Sequence, residues 1–215
     1  MFDEERADDA RSLLARLRKD TNRSPKAVLH WNQMPSHSDR VHVSVSLGVS
    51  DLLTVSSVIV CKNRLAPAPE MSHAMRYLFS FRMLLERLTW YGKSRQRKVH
   101  YTLAAIKGVH ASKLAEYKDR LFESTEPTGI EWRYLDGLGD IDQPLRNEFL
   151  QLADLGASAT GAAFNPDKHG RVEPTYLLRF ASRLYRREGG ALTSYGLKLH
   201  PGSGLADHPW ISDLK

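Results

Sequence analysis

Residues 52–61 constrain the fold more than any other stretch of this chain. Thr54, Val55, Val58, Ile59 and Val60 crowd it with β-branched side chains, and its apolar character is nearly continuous. Such a run fits a strand covered on both faces, as in parallel sheets flanked by helices. The segments that follow keep alternating. Pro67 and Pro69 separate the strand from a helix predicted over 70–92, where Met71, Met75, Leu78, Leu85 and Leu88 recur at three- and four-residue spacing. A second strand is predicted over 98–106 and a helix over 111–122. A short third strand covers 129–135, and a helix opened by Pro144 covers 144–164. A last helix fits 174–186 and a strand fits 194–199. Strand and helix in this order predict an α/β layer fold.

The first fifty residues carry less sheet signal. A helix is predicted over 3–20, with Asp3 placed to cap it, acids in its first turn and Leu13, Leu14 and Leu17 at helical spacing. Arg16, Arg18 and Lys19 fill its last turns, where the helix dipole favours positive charge. Asn22, Ser24 and Pro25 then break the pattern. The apolar run 27–31 is a short strand candidate, and Pro35 with the serines at 36 and 38 offers another helix start. Residues 41–47 fit a strand by their alternating valines, or a short helix by their place before Gly48.

The 215 residues are 41% hydrophobic and 26% charged, which excludes wholesale disorder and fits one α/β domain over 1–200 with a tail over 201–215. A single cysteine, Cys61, excludes an internal disulfide framework and a cysteine-based zinc site. No apolar run reaches the roughly 18–20 residues of a membrane span. The acidic opening MFDEERADD is followed by no apolar signal core. A reducing, cytoplasmic setting without a membrane partner is expected. The net charge of +6 is compatible with a polyanion.

The least ordinary segment is Glu148-Phe149-Leu150-Gln151-Leu152-Ala153-Asp154-Leu155-Gly156-Ala157-Ser158. Gln151 and Asp154 are three apart and share a helix face. Their neighbours are Leu, Ala and Gly, so the helix is expected to be mostly buried. A carboxylate there costs roughly several kcal/mol unless it is paired, hydrogen-bonded or bound to a metal. A loop cap, an arginine partner and a metal ion each satisfy that requirement, and the residues alone leave all three open. Small side chains at 156–163 let another element approach closely.

Several short elements follow one another along nearly the whole chain. They are Leu29-His30-Trp31, Leu84-Leu85-Glu86-Arg87-Leu88-Thr89-Trp90-Tyr91, Ala105-Ile106-Lys107-Gly108, Gln151-Leu-Ala-Asp154-Leu, Glu173-Pro174 and Tyr195-Gly196-Leu197-Lys198. In this order the chain resembles the domain-of-unknown-function 3800 family, and Gln-x-x-Asp is the most specific element. The resemblance implies an RNase H-like mixed sheet flanked by helices and a nuclease that uses Mg²⁺. It makes Asp154 a metal ligand and catalytic residue. Gln151 would orient Asp154 or touch substrate, and Glu86 becomes a further catalytic candidate beside its plainer role as an arginine-paired acid. The family opens with a strand ending in Asp-Glu-Ser/Thr-Gly. Asp3-Glu4-Glu5 opens a helix instead and is not its equivalent. The sheet is therefore expected to lack its first strands and to present an open, apolar edge suited to a homodimer. Cys61-Lys62-Asn63 ends the clearest strand without the acid that an RNase H-like fold often places there. Metal-assisted cleavage depends on clustered carboxylates. The expectation is thus a nuclease or, alternatively, a non-catalytic nucleic-acid-binding or interaction module on the same scaffold.

Candidate contacts to nucleic acid come from three places. Lys107 follows a predicted strand and could reach a phosphate, or be an ordinary turn lysine. His30 beside Trp31 could line a cleft or simply hydrogen-bond within the fold. Two basic runs, Lys93-Ser-Arg95-Gln-Arg97-Lys98 and Arg183-Leu-Tyr-Arg186-Arg187, could bind phosphates, and Tyr91 and Tyr185 lie beside them. Solvated helix ends carry the same charges. No histidine spacing suits zinc, and no nucleophile elbow or phosphate-cradling glycine loop is present.

Overall fold

The computed structural model describes residues 1–34, 36–64 and 71–214. Pro35 of the expected helix start, the breaks at Pro67 and Pro69, and the start of a helix at residue 70 lie outside them. In chain order the elements are α1 (Ala7–Asp20), α2 (His37–Val49), β1 (Ser57–Val60), α3 (His73–Arg95), β2 (Thr102–Ala104), α4 (Ala111–Glu123), β3 (Asp140–Asp142), α5 (Phe149–Phe164), α6 (Thr175–Arg179), α7 (Leu192–Tyr195) and β4 (Leu197–His200). This is an α/β chain dominated by its helices.

The helices form where apolar spacing and caps agree. Ala10, Leu13, Leu14 and Leu17 make the buried stripe of α1. Asp3 makes no cap hydrogen bond, and its carboxylate lies 3.5 Å from Arg97 instead. In α2 the Ser36 hydroxyl accepts the Asp39 N–H at 3.0 Å, and Val43 and Leu47, four apart, are buried. That cap and that spacing resolve the ambiguous valines as a helix. Ser72 caps α3 in the same way at 3.2 Å. Residues 27–31 form no strand. The Leu29 and Trp31 N–H groups are taken by α5 side chains, and a 3-10 turn, Trp31–Gln33, follows.

The strands are short and make two parallel pairs rather than the expected mixed sheet. Ser57 pairs with Leu197 through to Val60 with His200, and Thr102 with Asp140 through to Ala104 with Asp142. Single parallel bridges, Val55 to Leu184 and Val99 to Leu135, lengthen each pair. The strand predicted over 129–135 contains a 3-10 turn, Trp132–Tyr134, and pairs only through Leu135, while the ladder falls on Asp-Ile-Asp at 140–142. There the Asp140 N–H donates to Tyr101 and the Ala105 N–H to Asp142. The helix expected from Pro144 begins at Phe149. That expected over 174–186 stops at Arg179 and gives way to a 3-10 turn, Ala181–Arg183.

Two apolar cores result. The first joins α1, α2, α5 and α6 around Leu14, Leu17, Leu155 and Leu177; Trp210, Ile211 and Leu214 pack on it, so 201–214 is docked rather than loose. Each fully buried leucine of this kind contributes roughly 1.5–3 kcal/mol. The second joins α3, β2 and α4 around Leu78, Leu85, Leu103 and Leu114. α5 packs against both β1 and β2. A Cβ at Gly156 would stand 3.8 Å from Val55, an ordinary contact, so this approach does not require glycine. Arg87, 2% exposed, donates to the Ser194 carbonyl at 2.8 Å and fastens α3 to α7. Met1 exchanges backbone hydrogen bonds with Thr54 at 2.8 and 2.9 Å. The large exposed apolar side chains among the described residues are Val49, Phe122, Leu138, Leu145 and Val172. None lies on a strand, so the expected apolar edge is not found there. Among the described residues no helix is long and apolar enough to cross a membrane.

Candidate functional site

α5 carries the Gln-x-x-Asp element on the side that faces the 27–34 segment. Gln151 is 3% exposed, and both ends of its amide are used. Its oxygen accepts the Leu29 N–H at 2.9 Å and the Arg18 guanidinium at 3.1 Å, while its nitrogen donates to the Pro144 carbonyl at 3.0 Å. One turn on, Asp154 Oδ2 lies 2.9 Å from His30 Nδ1 and accepts the Trp31 N–H at 3.3 Å. Arg18 adds a bond to the Ala27 carbonyl at 2.8 Å and lies 3.4 Å from Glu148. Gln151, Asp154 and His30 are therefore brought together, and together they clasp a strandless loop to a helix.

The same geometry tests the metal that the resemblance implies. Among the described residues no three His, Cys, Asp or Glu side chains gather where they could hold an ion. The Asp154 oxygen facing His30 already has two hydrogen-bond partners. Glu86 sits elsewhere, on α3, with Arg87 at 3.3 Å, Arg82 at 3.9 Å and Lys198 within electrostatic reach. Burial raises its carboxyl above the ordinary range, and these three cations pull it back. The two guanidinium groups beside this carboxylate compete for it and repel a divalent ion. The donor sets at Asp154 and Glu86 do not fit Mg²⁺, and the two acids belong to separate clusters.

The basic runs behave differently. Tyr91, near the end of α3, stacks edge-on to Tyr185, with centroids 5.6 Å apart. Arg95 lies over the Tyr91 ring at 5.5 Å, and Tyr185 packs against Tyr195, whose hydroxyl is 3.5 Å from Arg187. Arg186 is exposed beside it. Between the runs sits Glu131, bonded to Lys93 and acted on by Arg133 and Arg187; chiefly through the Lys93 bond, its carboxyl lies below the usual range. Two runs distant in sequence thus share one surface. Arg97 is turned away from it. Gln96 adopts a left-handed conformation at φ 53°, and Arg97 pairs with Asp3 and Glu5. Lys98 is exposed just past that turn, and Lys107 is exposed separately beyond β2. Sequence reasoning missed Arg133 and Glu131. No local signal marks them, because only the fold brings 131–133 against α3.

No family model matches this chain, and neither does any curated protein or solved structure.

Proposed function

We propose that this chain is a nucleic-acid-binding module that binds without cutting. The observation carrying the proposal is the meeting of Lys93, Arg95, Arg133 and Arg187 around the Tyr91–Tyr185 contact. Arginines outnumber lysines there, which suits forked recognition of phosphate oxygens. Glu131 neutralises one cation, and Glu188 is the next residue after Arg187, so the surface keeps a positive excess. The RNase H-like scaffold of the domain-of-unknown-function 3800 kind is part of the proposal. It is supported by the order of the sequence elements and by parallel strands alternating with helices. The nuclease reading draws less support. Two-metal cleavage needs carboxylates free to bridge ions, whereas Asp154 is engaged by His30 and Trp31.

Fluorescence anisotropy with labelled single-stranded and duplex oligonucleotides across a salt series tests this. Affinity should fall with salt, with a log–log slope of roughly −2 to −4 for a handful of phosphate contacts. Arg95→Gln and Arg187→Gln should each weaken binding about tenfold, by loss of a charge-assisted contact. Asp154→Asn should leave affinity unchanged. Salt-insensitive binding would sink the proposed surface. Mg²⁺-dependent degradation of the oligonucleotide, abolished in Asp154→Asn, would restore the nuclease.

A further inference from the structure

A second charged place lies on the same long helix, about 16 Å along its axis from Lys93 to Arg82 at the ordinary helical rise. Phe79, Arg82 and Glu86 share one stripe of α3, at spacings of three and seven. Across from them Lys198 and His200 alternate with buried Leu197 and Leu199 on β4, so they project from the opposite face of the strand. The Phe79 and His200 rings touch, with centroids 5.4 Å apart, which seats stripe against strand. Arg82 and Lys198 each act electrostatically on both Glu86 and His200. Four ionisable groups from two elements therefore occupy one place.

Their charges do not balance. Glu86 is already matched by Arg87 at 3.3 Å. Arg82 shares the same carboxylate at 3.9 Å, so one acid stands against Arg82, Arg87 and Lys198, and a positive excess acts on His200. Among the described residues, neither the Lys198 ammonium nor the His200 imidazole makes a hydrogen bond or ion pair, and the Arg82 Nε is out of water with no hydrogen bond, facing the Glu86 carboxylate only at 3.9 Å. Buried polar atoms of this kind are uncommon unless something else satisfies them. The positive excess disfavours a metal cation and favours an anion.

We propose that the face between α3 and β4 is a seat for a phosphoryl group, held by Arg82, Lys198 and His200. Tetrahedral geometry offers each of the three donors its own oxygen, and charge-assisted bonds to phosphate are about twice as strong as neutral ones. Burial, Lys198 and Arg82 hold the His200 imidazole below its ordinary range. A bound anion reverses the sign of its surroundings. The charged groups acting on His200 are Lys198 on its own strand and Arg82 from α3, and Glu86 stands beside Arg82 on that helix. Cys61 lies one residue beyond Val60, its partner on β1. The phosphoryl group belongs either to a small free phosphate or to the end of a nucleic acid.

NMR titration of the histidine side chains with inorganic phosphate separates the outcomes. Phosphate should raise the pKa of His200 saturably, and Lys198→Gln and Arg82→Gln should each weaken that response about tenfold. An oligonucleotide with a 5′-phosphate that competes, where its unphosphorylated twin does not, would make nucleic acid the source. Competition by neither would make it the free ion. The Arg95→Gln, Arg187→Gln double variant should bind phosphate here undiminished, so failure of the basic surface and failure of the seat are distinguishable. A His200 response that never saturates, or that Lys198→Gln leaves intact, overturns the proposal.

Discussion

Gln151 and Asp154 sit three residues apart on one face yet do unequal work. The Gln151 amide meets three partners out of reach of water. Gln151→Leu would leave the Leu29 N–H buried and unpaired and the half-buried Pro144 carbonyl without its donor, with an expected loss of about 2–4 kcal/mol. Asp154 is one-third exposed, and an amide oxygen can still accept from Trp31. Asp154→Asn should therefore stay within about 1 kcal/mol of the parent. Urea denaturation of both variants checks the pair, and the reverse ranking would show the clasp to be wrongly assigned. The sequence pointed to this acid because a carboxylate among Leu, Ala and Gly demands a partner. It could not choose among loop, arginine and metal, since the deciding donors, His30 and Trp31, lie more than a hundred residues away.

At the scale of elements, the end of α3 decides which basic side chains share a surface. Gln96 stops the helix with φ 53°, a conformation that costs a side-chain-bearing residue about 1 kcal/mol relative to glycine. Gln96→Gly should raise stability by about that amount while leaving oligonucleotide affinity unchanged, as thermal melts and anisotropy would show. Long helices such as α1, α3 and α4 were legible because their apolar spacing repeats over several turns. Three strands were legible too, since β1, β2 and β4 fall within or overlap the runs predicted over 52–61, 98–106 and 194–199. β3 was not: it holds three residues, and Asp140 and Asp142 have poor strand propensity. It pairs with β2 because the second core brings the two together, which no local pattern encodes. The 129–135 run misled for the same reason. It is apolar enough for a strand, but the Trp90 indole bonds the Gly129 carbonyl at 2.7 Å and the chain turns at 132–134.

Over the whole molecule, two apolar cores are held to one another by shared elements rather than by a shared sheet. α5 reaches both strand pairs, Ser57 and Thr160 bond across β1 and α5 at 3.0 Å, and Arg87 ties α3 to Ser194. Elements common to both cores should make them unfold together. Calorimetric and van't Hoff enthalpies are expected to agree, and a resolved first transition would show that the cores melt independently. The candidate binding surface was half legible. Both runs and both tyrosines stand out in the sequence, but their meeting is a tertiary fact.

That meeting has a practical corollary. Because Tyr91 and Tyr185 bring two remote stretches of chain side by side, peptides carrying either stretch alone should grip oligonucleotides no better than any short polycation. Retention on an immobilised strand then becomes a gauge of the intact native population, vanishing on heating in step with the melting curve.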